Sequence, residues 1–385
     1  MSFAWSTRAV IAFAALAGSL AVILVGEALL PRGQGSSPPL PNSVRPVFEG
    51  LPSGWTDFPA PPEVRSRAAL VWTGEGLLEW GGYVFTGSGH KPPRADGFVF
   101  DARARSWEQM AASPLAPRAY VASAWTGEEL LIWGGSDGRQ ERFFDDGAAY
   151  DPKTDSWRSL PEAPIESRAP LSVWTGQELI VWGTAIRVAD RPRDGAAYDP
   201  RTDSWRRIAQ SPIELTDATA VWTGREMIVF GAALHGGNFP ESKTAIGAAY
   251  DPETDAWREL PDSELSPQAS TAAWNGREMI AWDYLNGTAA YAPAADSWRT
   301  LAKVPLDAAE CSPSSVSVGA YVFGNYCGRL ALYDPAADRW RDISRRELFG
   351  FGFQLVAAEP VVLLLGRRVD TGEKRMLAYR PSTRW

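Results

Sequence analysis

The sequence predicts an all-β propeller of four-stranded blades. Three observations predict it: a motif that returns at a period of roughly 40 to 50 residues, a content of 18 Trp, 35 Gly and 30 Pro in 385 residues, and turn signals at fixed places within each repeat. Many large apolar anchors with many turn-makers are what numerous short strands joined by tight turns require, and they leave little room for long helices.

Within each repeat the elements can be assigned in order. Residues Tyr150 to Trp157 read Tyr-Asp-Pro-Lys-Thr-Asp-Ser-Trp; the pattern returns at Tyr198 to Trp205 and Tyr250 to Trp257, weakens at Tyr291 to Trp298 and Tyr333 to Trp340, diverges at Phe100 to Trp107, and is shortened at Tyr379 to Trp385. A second motif, Trp125 to Gly135, is matched by Trp72 to Gly82, Trp174 to Gly183, Trp222 to Gly231 and Trp274 to Trp282. The first strand follows a Pro-rich loop and ends at Trp, where Thr-Gly or Asn-Gly supplies the positive φ of a tight hairpin turn. The second strand runs to a Gly pair, which permits a sharp bend or a close backbone approach. The third carries Gly-Ala-Ala-Tyr, small residues suited to crowded neighbouring sheets, and Asp-Pro-x-Thr-Asp then turns the chain. The fourth begins at Ser-Trp.

The indoles at Trp107, Trp157, Trp205, Trp257, Trp298 and Trp340, with Tyr150, Tyr198 and Tyr250, are blade anchors expected to pack between adjacent sheets. A buried Trp covers about 200 Å², roughly 4 to 6 kcal/mol gross. The count is seven blades, with six as the alternative if the divergent last unit is an extension. Trp55 reads as an isolated fourth strand, so Trp55 to Phe58 is expected to complete the blade formed from Phe351 to Tyr379 and seal the ring; Trp385 is the alternative occupant of that place.

The paired Gly after the second strand and the spaced Tyr and Trp resemble the kelch family and the kelch-like central domain of galactose oxidase, over about Trp55 to Trp385. The resemblance implies the architecture and is nearly silent on activity, because kelch propellers serve as protein-binding modules, oxidase scaffolds and sugar mutarotases. Galactose-oxidase-type copper would require two histidines and two tyrosines, one linked to a cysteine. Only His90 and His235 are present. They fall in loops of the first and fourth units, well apart around the ring, so no metal or other cofactor is expected.

The chain ends differ from the propeller. Residues 1–30 carry Arg8 ahead of a run from Ala9 to Leu30 interrupted only by Glu27. This predicts an apolar helix acting as a signal peptide or a retained signal anchor, the charge-free length lying between the two. Residues 31–46 are a Pro, Gly and Ser-rich linker, and the propeller spans 47–385. The expected setting is therefore exported: anchored and facing out of the cytoplasm, or periplasmic or secreted after cleavage, with contact to membrane only through that segment. Cys311 and Cys327 flank a hairpin turning near Gly319 and Ala320, which would set them nearly opposite one another as a disulfide. A net charge of −8 with no basic stripe argues against nucleic acid.

Comparing the repeats with one another gives the candidate site. Arg67, Arg118 and Arg168 each sit in an Arg-Ala pair before a first strand, and Asp96, Asp146 and Asp194 each precede the Gly that opens a third strand. Thr216 and Gln268 replace the Arg in later units, and Ile246, before Gly247, replaces the Asp in the fourth unit. Both signs of charge vanish together. One reading is a structural Arg–carboxylate pair in each blade; the other is an Arg-lined mouth that clamps a carboxylate of a sugar acid or acidic peptide. Long second-to-third-strand loops in the first four units, bearing Tyr83, Phe85, Phe143, Phe144 and Phe239, fall on that same face. The function expected is a monomeric, non-cytoplasmic binding or scaffold propeller recognising a protein or carbohydrate through this face. The alternative is a secreted carbohydrate-active enzyme, with Glu141, Asp145 and Asp190 as the loop carboxylates available for proton transfer.

Overall fold

The computed structural model describes residues 47–86, 89–90, 92–137, 142–166, 168–183, 193–233, 244–266, 271–283, 287–306, 313–326, 328–345, 353–368 and 370–382. Seven four-stranded antiparallel sheets are arranged as blades, with one small three-stranded sheet beside them. The first strands of successive blades pack against one another all the way round, and Gln354–Ala358 of the seventh blade meets Ala69–Trp72 of the first to complete the circle. The expected N-terminal helix and linker, and both cysteines, lie outside the described residues. The hairpin between the cysteines, Ser314–Val318 with Tyr321–Tyr326, is formed as read.

The blades follow the repeat. In the second blade Ala122–Trp125, Leu130–Trp133, Gly147–Asp151 and Ser156–Ser159 pair in sequence, so Tyr150 lies opposite Trp157. Gly127, Gly176, Gly224 and Gly276 hold φ between 91° and 102° in the Thr-Gly and Asn-Gly turns. In the turn between third and fourth strands, the Asp just before the fourth strand also takes the left-handed region, at Asp155, Asp203, Asp255, Asp296 and Asp338. Each of these carboxylates accepts a hydrogen bond from the Tyr of its own third strand, Tyr150 to Asp155 at 2.7 Å for example, which fixes the turn. Burial, and then the Asp203 hydrogen bond, push the Tyr198 hydroxyl up to about 12.

Closure is by the N-terminal strand. Gly54–Phe58 pairs along Lys374–Arg380, with Trp55 opposite Tyr379, and occupies the fourth place of the seventh blade. Trp385 lies outside the described residues.

The indoles divide into two sets. Trp80, Trp133, Trp182 and Trp282, at the ends of second strands, are the deepest, whereas Trp157, Trp205 and Trp257 are half-buried. The sets meet across blade seams, Trp133 on Trp205 at 5.5 Å and Trp182 on Trp257 at 5.6 Å. Each half-buried indole also donates Nε1–H to a carbonyl on the preceding blade's side of the seam, Trp157 to Ala111 and Trp205 to Pro161. The anchor role read for the fourth-strand Trp is therefore seam-crossing, with the largest burial one strand further in.

A girdle of Arg residues on the short-turn face reinforces the seams. Arg158 grips Glu129 of its own blade through Nε and Nη2, and its Nη1 reaches the Tyr198 hydroxyl and Asp203 of the next blade. Arg206, Arg258 and Arg299 repeat this with Glu178, Glu226 and Glu278. Half exposed, each contributes a modest amount. Blade one has Gly76 and Glu108 in the two places.

The Gly pairs are demanded by the seams. A Cβ on Gly134 would stand 2.7 Å from the carbonyl oxygen of Arg168 in the next blade, and its φ is 69°. Gly134→Ala is therefore expected to cost about 2–3 kcal/mol, read as a lower denaturant midpoint; an unchanged midpoint would mean that the seam can yield.

Candidate functional site

The long-loop face is where second-to-third and fourth-to-first connections emerge. There the Arg–Asp pairs act as staples. Arg118 is wired by its backbone to blade one, its N–H donating to Arg94 and its carbonyl accepting from Gly82. Its side chain belongs to blade two: Nη1 donates to Asp146 Oδ1 at 2.6 Å, Nη2 to Oδ2 at 3.1 Å and Nε to the Ala116 carbonyl, with the guanidinium 3.8 Å from the Phe144 ring centroid. Arg168 repeats the arrangement, bound by backbone to Phe144 and Gly135 and by Nη1 to Asp194 at 2.8 Å.

In blade one the residue in this role is Arg65 and not Arg67, which corrects the grouping drawn from the Arg-Ala pairs. Arg65 Nη2 donates to Asp96 Oδ1 at 3.0 Å and to Glu63, and Nη1 to the carbonyls of Asp96 and Gly81. Spacing alone did not decide between them, since Arg65 and Arg118 precede the first-strand Trp by seven residues, Arg168 by six and Arg67 by five. The difference is one of reach: Arg65 Nη1 donates to the Gly81 carbonyl of the Gly-Gly bend, whereas the Arg67 guanidinium lies over the Tyr120 ring.

The side chains of Arg65, Arg118 and Arg168 are 0, 0 and 1% exposed, while their Asp partners are 31–55% exposed. Their Nη groups donate to carboxylate and carbonyl oxygens, with the Nε of Arg118 and Arg168 bonded and that of Arg65 unpartnered among the described residues, which favours the paired reading over an open row of forks. Phe144 is buried beneath Arg118 and covers the loop base; Phe143 is half-buried and Asp145 exposed. Phe85 and His90 belong to the small sheet formed by Arg65–Ser66, Tyr83–Thr86 and Gly89–His90. Phe239, His235, Glu141 and Asp190 lie outside the described residues.

A different group stands at the channel mouth. Arg67 and Tyr120 occupy equivalent places in blades one and two, just before the inner strands, and both are left-handed, with φ of 58° and 57°. Among the described residues every other left-handed non-Gly residue sits in a third-to-fourth-strand turn. Holding a side chain there costs about 1–2 kcal/mol each, and such strain clusters at functional sites. The two are tied together: Tyr120 N–H donates to the Arg67 carbonyl at 3.1 Å, and the Arg67 guanidinium lies 5.2 Å from the Tyr120 ring centroid. Tyr83 meets Tyr120 edge to face at 6.0 Å, and burial holds the Tyr83 hydroxyl above its ordinary value, so it stays protonated. The result is two aromatic rings with a cation beside them, Arg67 and Tyr120 half-buried. Sequence comparison picked out Arg67 and Tyr83 for other reasons and missed Tyr120, whose backbone geometry leaves no mark in residue type.

The pattern of the KLHDC2/KLHL20/DRC7 Kelch-repeats domain matches residues 67–275, more than half of the chain. No curated protein matches significantly. Among solved structures, a fungal alcohol oxidase of the AA5 family in complex with copper is similar with a TM-score of 0.63 at 12% identity, over 86% of this chain and 76% of that one. The structure of YjhT is similar with a TM-score of 0.51 at 14% identity, over 80% of this chain and 99% of that one. At these identities the likeness is one of fold.

Proposed function

The chain belongs to the kelch-repeat family described as the KLHDC2/KLHL20/DRC7 Kelch-repeats domain, and from that premise we propose that it is a binding propeller whose long-loop face recognises a carboxylated carbohydrate outside the cytoplasm. The observation that carries the ligand is the cluster of Arg67, Tyr120 and Tyr83 at the mouth of blades one and two. Aromatic faces take the apolar face of a sugar ring, and an adjacent guanidinium suits a planar carboxylate. The strained backbone at 67 and 120 supports a recognition role, because strain without use would be removed by a Gly. The apolar N-terminal segment supports the non-cytoplasmic setting.

The test is calorimetric titration and thermal shift with a uronic acid, a sialic acid, their neutral counterparts and an acidic peptide. A sugar acid at 100 times Kd is expected to stabilise the fold by about 2.7 kcal/mol. Tyr120→Gly separates function from scaffold, since Gly accepts a φ near 57° without strain. Relief of strain offsets the lost ring contacts with Tyr83 and Arg67, so the ligand-free midpoint is expected to change little while binding weakens about tenfold. Binding unaffected by Tyr120→Gly and Arg67→Ala, or a response to the acidic peptide alone, overturns the carbohydrate reading.

A further inference from the structure

The seam between blades seven and one, where the ring is closed, contains a carboxylic acid that no other blade has. Glu79 lies in the second strand, one residue before Trp80; the equivalent residues are Ile132, Val181, Val229 and Ala281. Its register partners are Leu70 and Phe98. That face, which also carries Leu77 and Phe100, packs against Val356, Leu363, Leu365 and Met376 of blade seven.

Glu79 is 0% exposed, and neither carboxyl oxygen has a hydrogen-bond partner among the described residues. The nearest cation does not rescue it. Arg65 favours the ionised form by its charge, but it spends its Nη hydrogens on Asp96, Glu63 and the Gly81 carbonyl, its buried Nε–H meets no acceptor among the described residues, and its guanidinium lies 4.9 Å from the Phe98 ring centroid. Glu63 and Asp96 add negative charge on the same side. Across the seam, the buried Gln354 donates Nε2–H to the Arg65 carbonyl at 2.7 Å, and Lys374 at the rim donates to the Pro62 carbonyl. Arg367 lies at the outer end of its strand with Nη1 directed to the Gly372 carbonyl. An ionised carboxylate so enclosed would forfeit its hydration and gain no hydrogen bond in exchange.

We propose that Glu79 is a proton-sensitive latch of ring closure: blades seven and one close around the neutral acid, and loss of its proton loosens that one joint. Burial, opposed by Arg65 and assisted by Glu63 and Asp96, pushes the carboxyl from 4.5 up to about 7. Because the folded state holds this proton more tightly than the unfolded chain, the stabilisation is fully present below about pH 4.5 and is lost as pH rises through about 7.

The experiment compares the full chain with Glu79→Gln, which keeps the shape and cannot ionise, by denaturant unfolding at pH 5.5 and 8.5 and by strand-resolved hydrogen exchange. Relative to Glu79→Gln, the wild-type folding constant is expected to fall roughly 30-fold between the two pH values. Exchange is expected to quicken in Gly54–Phe58 and Gln354–Ala358 of the wild type only. Parallel pH profiles for the two proteins, or exchange that quickens evenly over all seven blades, overturn the proposal. Should Glu79→Gln fail to fold, Glu79→Val, the residue of blades three and four, serves in the same comparison.

Discussion

Arg118→Ala is expected to destabilise the propeller by about 3 kcal/mol while leaving recognition through Arg67 and Tyr120 in place. The guanidinium is fully buried and makes a two-pronged contact with Asp146, a third bond to the Ala116 carbonyl and a stacking contact with Phe144. Removing it strands the Ala116 carbonyl, leaves a void over Phe144 and frees the half-exposed Asp146 to water; hydrogen bonds from a charged group contribute about 1.5–3 kcal/mol. Because the backbone of Arg118 is bonded into blade one, the loss falls on a seam and not on a loop. Equilibrium unfolding in urea measures it, as a lower midpoint with an unchanged slope. Arg118→Lys is expected to recover little, since a point charge cannot reproduce the planar fork. If Arg118→Ala keeps its midpoint and abolishes ligand binding instead, the Arg–Asp pairs are the site and the staple reading fails.

Deleting residues 47–58 is expected to have a larger effect still. The deletion takes Phe48 and Phe58 from the seam core and Trp55 from Tyr379. It also bares Met376 to Arg380 of the last strand, as an unpaired edge ready for intermolecular pairing. Loss of a single buried aromatic costs about 3–5 kcal/mol, so losing Phe48 and Phe58, with the half-buried Trp55 besides, removes much of the roughly 5–15 kcal/mol by which a domain is stable. Size-exclusion chromatography and thermal unfolding should show aggregated or non-cooperatively unfolding protein. A shortened chain that stays monomeric and melts cooperatively near the full-length midpoint would place ring closure elsewhere.

Much of the architecture was legible because it rests on short-range chemistry. Asn-Gly and Thr-Gly turns, the Asp-Pro turn and the Trp and Tyr at fixed places act within a few residues, so each repeat declares its four strands without reference to its neighbours. Closure was legible as one of two readings, since Trp55 is a fourth-strand signal with no blade of its own and Trp385 was the other candidate. The left-handed Asp residues of the turns were not foreseen, because their stabilising partner is a Tyr hydroxyl delivered by strand pairing.

The candidate site was legible only in part. Repeat comparison isolated the cations and carboxylates of blades one to three, but Arg65 and Arg67 compete for one role, decided only by which guanidinium the folded chain brings to Asp96 and the Gly81 carbonyl. Glu79 stood in plain view among Ile132, Val181 and Val229, yet its significance depends on complete burial.

By itself the sequence determined the four-stranded blade, which follows from turn geometry and hydrophobic patterning along contiguous residues, and left seven against six blades, and Trp55 against Trp385 as the closing strand, to the structure. Only the tertiary structure decided what crosses from blade to blade: the Arg staples, the outer Arg girdle, the strained pair Arg67 and Tyr120, and the unpartnered carboxyl of Glu79. Each depends on atoms brought together from distant segments, and burial and hydrogen-bond partners are properties of the packed ring that residue types alone do not fix.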